Sequence, residues 1–509
     1  MTAVEHPARD GTDGPLRPPA RVPFPVVDEV ARHCLQEQEP ETVHIEVHLP
    51  GRLDPARLKT AFTEALHRHP RILMREAPGP WYRRRYEWEL TTDPDVEVVS
   101  FTAAGSDALR DARTRALLET PPLSLSPPIR LEVVDGAGPA VGSEATDAVG
   151  AVEADAAVGL RGARGDGGDG GPPCSSEAEN VREGGHSGTP RAPGSPASPH
   201  AGPAPGHPHP RGTVLFLTIN HTALDGPACL RILATAAELY GGKDNTPAAP
   251  PVRLPDPTDT PRVDAPSTWT PPARVAPGTP EPSPGNGLLV TELSVPRRPR
   301  NAPYTVNDQL MAATALMIAH WNREHGARPR PLRITMPVDD RPRGADMPIG
   351  NGTRLVEVTF APDEVNAHAM GELLRRTANR TRALKSLDRP QLGHGADLLT
   401  APIVPVAWRA ALTRGLRRAA GPWTSTTLLS NIGRIPYSLD FGGTAGRAHA
   451  VWFSAPARMP RGLTVTTAST AGRLHLALRW SRTLLGHGDG AHLRDLFEHY
   501  LHATEEGSP

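Results

Sequence analysis

The residues best suited to chemistry lie in the segment NHTALDG, residues 220–226. Histidine suits proton transfer near neutral pH because its unperturbed pKa, about 6.5, lies close to the operating pH. Asp225 followed by Gly226 is typical of a turn, since the carboxylate accepts hydrogen bonds from nearby backbone N–H groups and glycine tolerates positive φ. We therefore predict His221 as a general base, with Asp225 and Gly226 supporting its loop. The alternative is a structural or vestigial histidine.

Apolar patterning on both sides of this segment predicts the elements that position it. Residues 214–219 are predicted to form a buried strand, and CLRILATAAELY, residues 229–240, a helix. His221 then lies at a strand-to-helix turn, from which a side chain can project into a cleft. Cys229, on the apolar helix, is predicted to be a small buried side chain.

The rest of the chain alternates strands and helices in two blocks. VHIEVHL, residues 43–49, alternates apolar residues with period two, and Leu58, Phe62 and Leu66 follow at helical spacing. In the second block, helices over residues 307–321 and 493–501 flank the predicted strands LRITMPV, TRLVEVTF, LTVTTAS and RLHLALRW. We predict an α/β fold of two lobes, each a mixed sheet covered by helices.

Composition divides the chain into segments. Residues 136–212, 77 in all, contain no Phe, Tyr or Trp, so they cannot bury enough apolar surface to fold and are predicted to be a disordered insert in a strand-to-strand loop. We expect a flexible N-terminus over 1–22, an N-terminal lobe over 23–244 and a C-terminal lobe over 288–503. A Pro-rich linker over 245–287 separates the lobes.

Charge and cysteine content exclude several classes of function. Lys+Arg 55 against Asp+Glu 56 gives a net charge of -1, so we expect no nucleic-acid partner. Three cysteines without a CxxC pair indicate neither a disulfide framework nor a zinc site, and His207 and His209 lack other ligands nearby, so no metal is expected. Without a leader or a span of about 18 apolar residues, we expect a cytoplasmic protein with no membrane span.

NHTALDG resembles the HHxxxDG motif of the condensation-domain superfamily, which includes chloramphenicol acetyltransferase, wax ester synthases, plant alcohol acyltransferases and nonribosomal peptide condensation domains. Other segments resemble it in order and spacing, namely RLKTAFTEALHRHPRILMRE, TVNDQLMAATA, PVDDRPRGADMPIGNG and LLSNIGRIP. The likeness covers about residues 23–503 apart from the two Pro-rich stretches. It resembles a stand-alone condensation protein, similar to the polyketide-associated acyltransferases and the wax ester synthases.

This resemblance implies two chloramphenicol-acetyltransferase-like lobes in a V, with His221 in a central tunnel. It implies that His221 takes a proton from an amine or hydroxyl as that group attacks an acyl thioester. Asp225 would pair with an arginine, and both Arg341 and Arg343 are candidates. The resemblance also implies a set of substrate-binding residues: Asn220, Gly350, Asn351, Ser430 and Asn431.

Two positions depart from the superfamily pattern. Asn220 replaces the first histidine of the motif, which is not the base. Asp440-Phe441-Gly442-Gly443 resembles the Asp-Phe-Gly-Trp-Gly motif of the plant enzymes but lacks its tryptophan. Because that motif is thought to be structural, the departure bears on placement within the superfamily more than on chemistry.

The activity that the resemblance implies is amide- or ester-forming acyl transfer in secondary metabolism. The acyl group would come from coenzyme A or a carrier-protein thioester and go to a small amine or alcohol, so no bound cofactor is expected and the thioester is a substrate. We expect a monomer. The alternative is a catalytically silent condensation fold that acts as a docking or interaction module.

The segment WRAALTRGLRR, residues 408–418, is a helix that is basic along one side. We predict a solvated helix face here, as is usual for such charge patterns. The alternative is a surface that meets the phosphates of coenzyme A or an acidic carrier protein.

Overall fold

The computed structural model describes residues 20–35, 39–103, 105–136, 212–246, 269–341, 347–387, 391–392 and 396–506. Its strands are β1 (Arg21–Pro23), β2 (Thr42–Leu49), β3 (Met74–Glu76), β4 (Glu87–Leu90), β5 (Val99–Thr102), β6 (Ile129–Asp135), β7 (Thr213–Asn220), β8 (Asn286–Ser294), β9 (Leu332–Asp339), β10 (Thr353–Phe360), β11 (Thr427–Arg434), β12 (Ala450–Ser454), β13 (Leu463–Thr470) and β14 (Arg473–Ser481). Its α-helices are α1 (Val26–His33), α2 (Pro55–Arg68), α3 (Ala108–Leu118), α4 (Gly226–Gly241), α5 (Val306–Glu324), α6 (Met370–Ser386), α7 (Ala396–Thr400), α8 (Val406–Ala419) and α9 (His487–Glu506).

The first sheet has the strand order β12-β2-β7-β6-β5. Strands β5 and β6 run parallel, and the other neighbours are antiparallel. The apolar faces of β2 and β7 form one core with α2 and α4, in which Ile45, Leu217, Phe62 and Leu233 are almost fully buried. Helix α3 packs against the opposite face of the same sheet. The sheet is therefore covered by helices on both faces.

The second sheet has the order β10-β9-β11-β13-β14-β8. Its central strands β9, β11 and β13 run parallel, and the remaining pairs are antiparallel. Helices α5, α6 and α9 pack together on this sheet and enclose a second core around Trp321, Phe360 and Phe497. The predicted α/β fold with two helix-covered mixed sheets is confirmed.

The two ends of the predicted insert meet in the first sheet. Strands β6 and β7 are antiparallel neighbours, with Asp135 opposite Thr213. The backbone N–H of Gly136 donates to the carbonyl of Gly212 at 3.0 Å, which extends the ladder by one step. Residues 137–211, which make up nearly all of the predicted insert, lie outside the described residues. The insert therefore connects two adjacent antiparallel strands.

Late residues of the chain complete the first sheet rather than the second. Strand β12 pairs with β2, with Val451 opposite Val47. Phe441, from the Asp-Phe-Gly-Gly segment, is buried in the first core. A Cβ at Gly241, the end of α4, would lie 2.5 Å from the carbonyl carbon of Phe441, so only glycine fits there. This segment holds the end of α4 in place.

The second half of the predicted linker is packed. Residues 247–268 lie outside the described part of the chain, but residues 269–287 lie inside it. Ala273, Val275 and Ala276 are buried in the second core, and β8 begins at Asn286. These small apolar side chains alternate with prolines and polar residues too irregularly to give a helix or strand pattern, so sequence periodicity missed their packing.

The period-two pattern of β2 describes only one of its buried faces. Val43, Ile45, Val47 and Leu49 face the first core, as predicted, but the polar residues between them are buried too. On that second face, Glu46 accepts a hydrogen bond from Arg113 of α3 at 2.7 Å and lies 2.7 Å from the His48 ring. Arginine and histidine partners therefore compensate this buried carboxylate.

Several buried histidines make the fold sensitive to acid. Burial lowers their pKa below the ordinary 6.5, to about 3 for His44 and about 4 for His33, His69 and His475. As the pH falls from 6.5 towards 4, these histidines bind protons in the unfolded chain but stay neutral in the folded chain. Protonation therefore favours the unfolded chain, and the free energy of unfolding decreases over this pH range. Burial raises the pKa of Asp28 to about 6 and of Glu29 to about 7, which opposes the effect at two sites.

We expect the free energy of unfolding to fall by about 1–3 kcal/mol per pH unit between pH 6.5 and 4.5. Urea unfolding at several pH values measures this slope. The variant His44→Leu should have a shallower slope, because both ring nitrogens of His44 lack a hydrogen-bond partner in the described structure. The control His502→Leu changes an exposed histidine and should keep the wild-type slope. A midpoint that rises on acidification would contradict this account.

Candidate active site

A cavity of about 450 Å³ contains the predicted site. Its walls come from both sheets, through the start of α4 and from residues of β9, β10, β11 and β13. Much of the lining is apolar, as is usual for small-molecule sites, and includes Val27, Val43, Leu230, Met347, Leu428, Ile432 and Phe453. His221, Asp225 and Gly226 line the same cavity.

His221 follows the last residue of β7, and its backbone is fixed by the neighbouring chain. Its N–H donates to the carbonyl of Glu41 at 3.0 Å. Its ring Nδ1 lies 2.9 Å from the carbonyl oxygen of Leu224. A carbonyl can only accept, so Nδ1 bears the hydrogen and Nε2 of the neutral ring is left with a free lone pair. The half-buried ring therefore has the tautomer that a general base needs.

Asp225 is the N-cap of α4 and is almost fully buried. Its Oδ1 accepts from the N–H of Ala228 at 3.1 Å, as N-cap aspartates do. Its Oδ2 accepts from the N–H groups of Gly352 at 2.8 Å and Thr353 at 3.2 Å. The carboxylate thus joins the His221 loop to the start of β10.

Arg341 is the arginine that pairs with Asp225. Its Nη2 lies 2.9 and 2.7 Å from the two carboxylate oxygens, and its Nε donates to Asp339 at 2.8 Å. Burial opposes the charge, but hydrogen bonds and attraction from Asp339 and Asp225 raise the pKa of the guanidinium. The other candidate, Arg343, lies outside the described residues.

Gly350 and Asn351 support the loop from the second sheet. The carbonyl of Gly350 accepts from Arg341 Nη1 at 3.0 Å. Asn351 donates from Nδ2 to the carbonyls of Thr222 at 2.9 Å and His221 at 3.3 Å, and to Asp28 Oδ1 at 2.9 Å. Asn351 lines the cavity, whereas the lining does not include Gly350 among the described residues. Both residues therefore contact the machinery that holds His221.

The remaining predicted substrate-binding residues differ in whether their side chains are free to bind a substrate. Ser430 lines the cavity, and its hydroxyl has no hydrogen-bond partner in the described part of the chain. Asn431 also lines it, but its side chain is bonded to Asn307 and to the N–H of Gly433.

Asn220 points away from this cavity. Its Nδ2 donates to the carbonyl of Pro121 at 3.0 Å, and its Oδ1 accepts from the N–H of Thr222 at 3.1 Å. It lines a separate, more open cavity of about 1080 Å³, which shares Glu41 with the first. In this structure Asn220 therefore shapes the turn that precedes α4.

Sequence reasoning missed one end of the cavity, where several arginines meet. Arg417, Arg458 and Arg461 line it, and Arg458 forms an ion pair with Glu41. Glu41 precedes β2, and Arg458 and Arg461 lie in the loop before β13. Arg417 belongs to α8, the basic segment for which the sequence offered a phosphate or carrier surface as the alternative. Only the fold brings them together, so the sequence pointed to the α8 segment alone and not to Arg458 or Arg461.

In the described ranges of the chain, no group of three or more His, Cys, Asp or Glu side chains is placed to hold a metal ion. No helix in the same ranges has the length and apolar character needed to cross a membrane. His207 and His209 lie outside these ranges.

Solved structures of similar fold include condensation domains and an O-acetyltransferase. The condensation domain from the Monacolin K polyketide synthase MokA has a TM-score of 0.54 and 12% identity, covering 96% of this chain and 97% of that one. The first condensation domain of the CDA synthetase has a TM-score of 0.54 and 14% identity, with the same coverage of both chains. Trichothecene 15-O-acetyltransferase from Fusarium sporotrichioides has a TM-score of 0.55 and 10% identity, and the match covers 95% of each chain. At these identities the likeness establishes the fold.

Sequence comparison adds relatives without an assigned activity. Two uncharacterized proteins of Mycobacterium tuberculosis, MT2362 and Rv2305, are each 30% identical over 281 residues. The match covers 49% of this chain and 62% of each relative, so it spans less than two thirds of their length. No family model matches the chain.

Proposed function

We propose that this chain, whose fold is that of condensation domains and of the trichothecene acetyltransferase, is an acyltransferase with His221 as its general base. It transfers an acyl group from a thioester to an amine or hydroxyl acceptor inside the 450 Å³ cavity and belongs to secondary metabolism. The observation that carries the proposal is the hydrogen bond from His221 Nδ1 to the Leu224 carbonyl, which leaves Nε2 as the proton acceptor.

One base is sufficient for this reaction because a thioester is already an activated acyl donor. The acceptor nitrogen or oxygen attacks the carbonyl carbon while His221 Nε2 takes its proton. The C–S bond then breaks, and the leaving thiolate takes the proton back from the imidazolium. Base catalysis of this kind contributes about 10²–10⁴ in rate, and alignment of the two substrates contributes the larger, entropic part.

Other residues of the site hold and position the reacting groups. Arg341 and Asp225 fix the loop, and Asn351 holds the His221 backbone through its carbonyl. Ser430, whose hydroxyl has no partner in the described residues, is the cavity residue that we assign to substrate binding. The apolar lining excludes water, which would otherwise hydrolyse the thioester.

The surface beside the cavity favours a carrier-bound donor over free coenzyme A. Helix α8 contributes Arg417 to the cavity, and its outer face exposes Trp408 (69%), Leu412 (55%) and Leu416 (48%). Arg414 and Arg418 are exposed on the same helix. An exposed apolar patch edged by arginines matches an acidic protein surface with an apolar centre. We assign this face to an acidic carrier protein.

Reversing the two exposed charges should separate the two donor types. The double variant Arg414→Glu, Arg418→Glu should lower kcat/KM for a carrier-bound thioester by about tenfold or more, because attraction becomes repulsion. The same acyl group on coenzyme A should be used at about the wild-type rate. Rates with both donors at two salt concentrations measure this. Equal losses with both donors would contradict carrier docking on α8.

The experiment that tests the function is a product screen by mass spectrometry. Purified protein is incubated with acyl-coenzyme A and acyl-carrier donors and with pooled amines and alcohols, beside His221→Ala and the surface control His502→Ala. We expect a new amide or ester with the wild type and the control, and none with His221→Ala. Silence of all three proteins with donors that bind would favour the docking module over an enzyme.

A further inference from the structure

Two segments of the chain expose large apolar side chains near the start of α8. In the first segment, Trp81 is 72% exposed and Tyr82 next to it is also exposed. In the second, Leu398 of α7 is 80% exposed, Ile403 after it is 78% exposed, and Val404 is exposed as well. We call these five residues the apolar patch. A soluble surface rarely leaves so many large apolar side chains together in water unless they bind something.

The buried side chain of Arg409, in α8, holds the two segments side by side. Its Nη2 donates to the carbonyl of Arg84 at 2.7 Å, and its Nη1 donates to the carbonyl of Thr400. The backbone N–H of Val406 also donates to the carbonyl of Arg83 at 2.8 Å. The apolar patch is therefore a single surface fixed by hydrogen bonds between the segments.

The charge around the apolar patch is positive. Residues 81–85 and 398–409 contain four arginines and no acidic residue. Arg83 and Arg409 are paired with glutamates elsewhere in the fold. Arg84 and Arg85 are exposed, and neither forms an ion pair in the described part of the chain. Two guanidinium groups beside the patch are thus free to bind anions from solution.

This combination fits an anionic lipid surface better than a folded partner. A protein interface needs closely packed, complementary surfaces. Leu398 and Ile403 are so exposed that little of either side chain packs against the protein, and fluid hydrocarbon can surround such side chains. Tryptophan and tyrosine favour the boundary between hydrocarbon and headgroups, and arginines attract anionic headgroups.

We propose that the apolar patch, together with Arg84 and Arg85, binds the protein to an anionic lipid surface. The apolar side chains enter the headgroup boundary, and the two guanidinium groups bind the lipid phosphates. Such binding is peripheral, because its strength comes from buried apolar area and charge. The carrier surface assigned to α8 starts at Trp408 and continues to Arg418, so it is a neighbouring surface.

The apolar patch lies beside the cavity. Val27 and Ala31 of α1 line the cavity, and Glu29 between them pairs with Arg409 at 2.8 Å. Leu392, four residues before α7, lines the cavity and is exposed. Lipid binding would therefore hold the cavity close to an apolar substrate dissolved in the lipid. This consequence rests on the proposed acyltransferase function, whereas the lipid binding does not.

Flotation with vesicles tests the lipid surface without turnover. The full chain is mixed with vesicles of phosphatidylcholine alone, or of equal parts phosphatidylcholine and phosphatidylglycerol, and the floated fraction gives a partition coefficient. We expect the wild type to prefer the anionic vesicles. The double variant Leu398→Ser, Ile403→Ser should bind them at least about tenfold more weakly. The control Val96→Ser, Leu118→Ser changes two exposed aliphatic residues outside the patch and should bind as the wild type does.

A second pair of variants tests the charges. Arg84→Ser, Arg85→Ser should lower binding to the anionic vesicles at least about tenfold at low salt. High salt should reduce this difference, because it screens exposed charges. The matched control Arg328→Ser, Arg330→Ser removes two exposed arginines outside the patch and should keep wild-type binding. Thermal unfolding of each variant shows whether the fold is retained.

Three outcomes would overturn the lipid surface. One is a wild-type protein that floats with neither kind of vesicle. Another is equal binding by the patch variants and their matched controls. The third is an Leu398→Ser, Ile403→Ser protein that keeps wild-type vesicle binding but loses kcat/KM with a carrier-bound donor, which would assign the patch to a protein partner. If the vesicles bind as expected but no donor and acceptor react, the proposed function fails while the lipid surface stands.

Discussion

The variant His221→Ala should lower kcat/KM for acyl transfer by about 10²–10⁴ while the KM for each substrate stays within about threefold of the wild type. Among the described residues that line the cavity, His221 is the only histidine, and the Leu224 carbonyl fixes the tautomer that leaves its Nε2 with a free lone pair. Alanine removes this base and leaves the turn, since the backbone N–H of residue 221 still donates to Glu41.

Steady-state rates with one donor and one acceptor check this prediction. The control His502→Ala removes an exposed imidazole from α9 and should keep the wild-type rate. Residual activity in His221→Ala would reflect substrate alignment alone. A loss below about fivefold would show that another group removes the proton.

The variant Asp225→Asn should lower the free energy of unfolding by about 3–5 kcal/mol. The carboxylate accepts from Arg341 and from the N–H groups of Ala228, Gly352 and Thr353. An amide presents one oxygen and one NH₂ group to these donors, so some are left unsatisfied and Arg341 loses part of its buried compensation. The loop should loosen, and acyl transfer should fall with it.

Urea unfolding at pH 7 measures the loss. Asp495→Asn is a suitable control because Asp495 forms an ion pair with Arg494 at 2.6 Å while its side chain is 60% exposed. Pairs of that kind contribute about 0–1 kcal/mol. An Asp225→Asn protein as stable as this control would show that the Arg341 pair is unimportant for the fold.

Local sequence patterns were sufficient to place His221. The apolar run of β7 ends at Asn220, and Asp225 and Gly226 have the chemistry of an N-cap and a helix start, so the turn between them follows from residues close together in the chain. Two helix-covered sheets also followed from periodicity, because each predicted strand and helix has a long apolar face. These predictions depend only on patterns among residues that are close together in the sequence.

Interactions between distant segments could not be obtained in this way. Arg341 and Arg343 are two residues apart in the sequence, and only the tertiary contact between the segment after β9 and the N-cap of α4 brings Arg341 to Asp225. The buried polar face of β2 depends on α3, because Arg113 compensates Glu46. The arginines that line the cavity likewise come together only when Glu41, just before β2, meets α8 and the loop before β13. Each depends on tertiary contacts that alternation and spacing do not encode.

The most direct test of the central claim is a single-turnover measurement. Enzyme in excess over a thioester donor is mixed with acceptor and quenched at short times, and thioester, product and intact protein are quantified by mass spectrometry. We predict that thioester loss and product formation share one rate, that the protein is never acylated, and that both rates fall at least about 100-fold in His221→Ala. Equal rates in wild type and variant, or an acylated protein that forms and decays, would contradict direct transfer with His221 as the base.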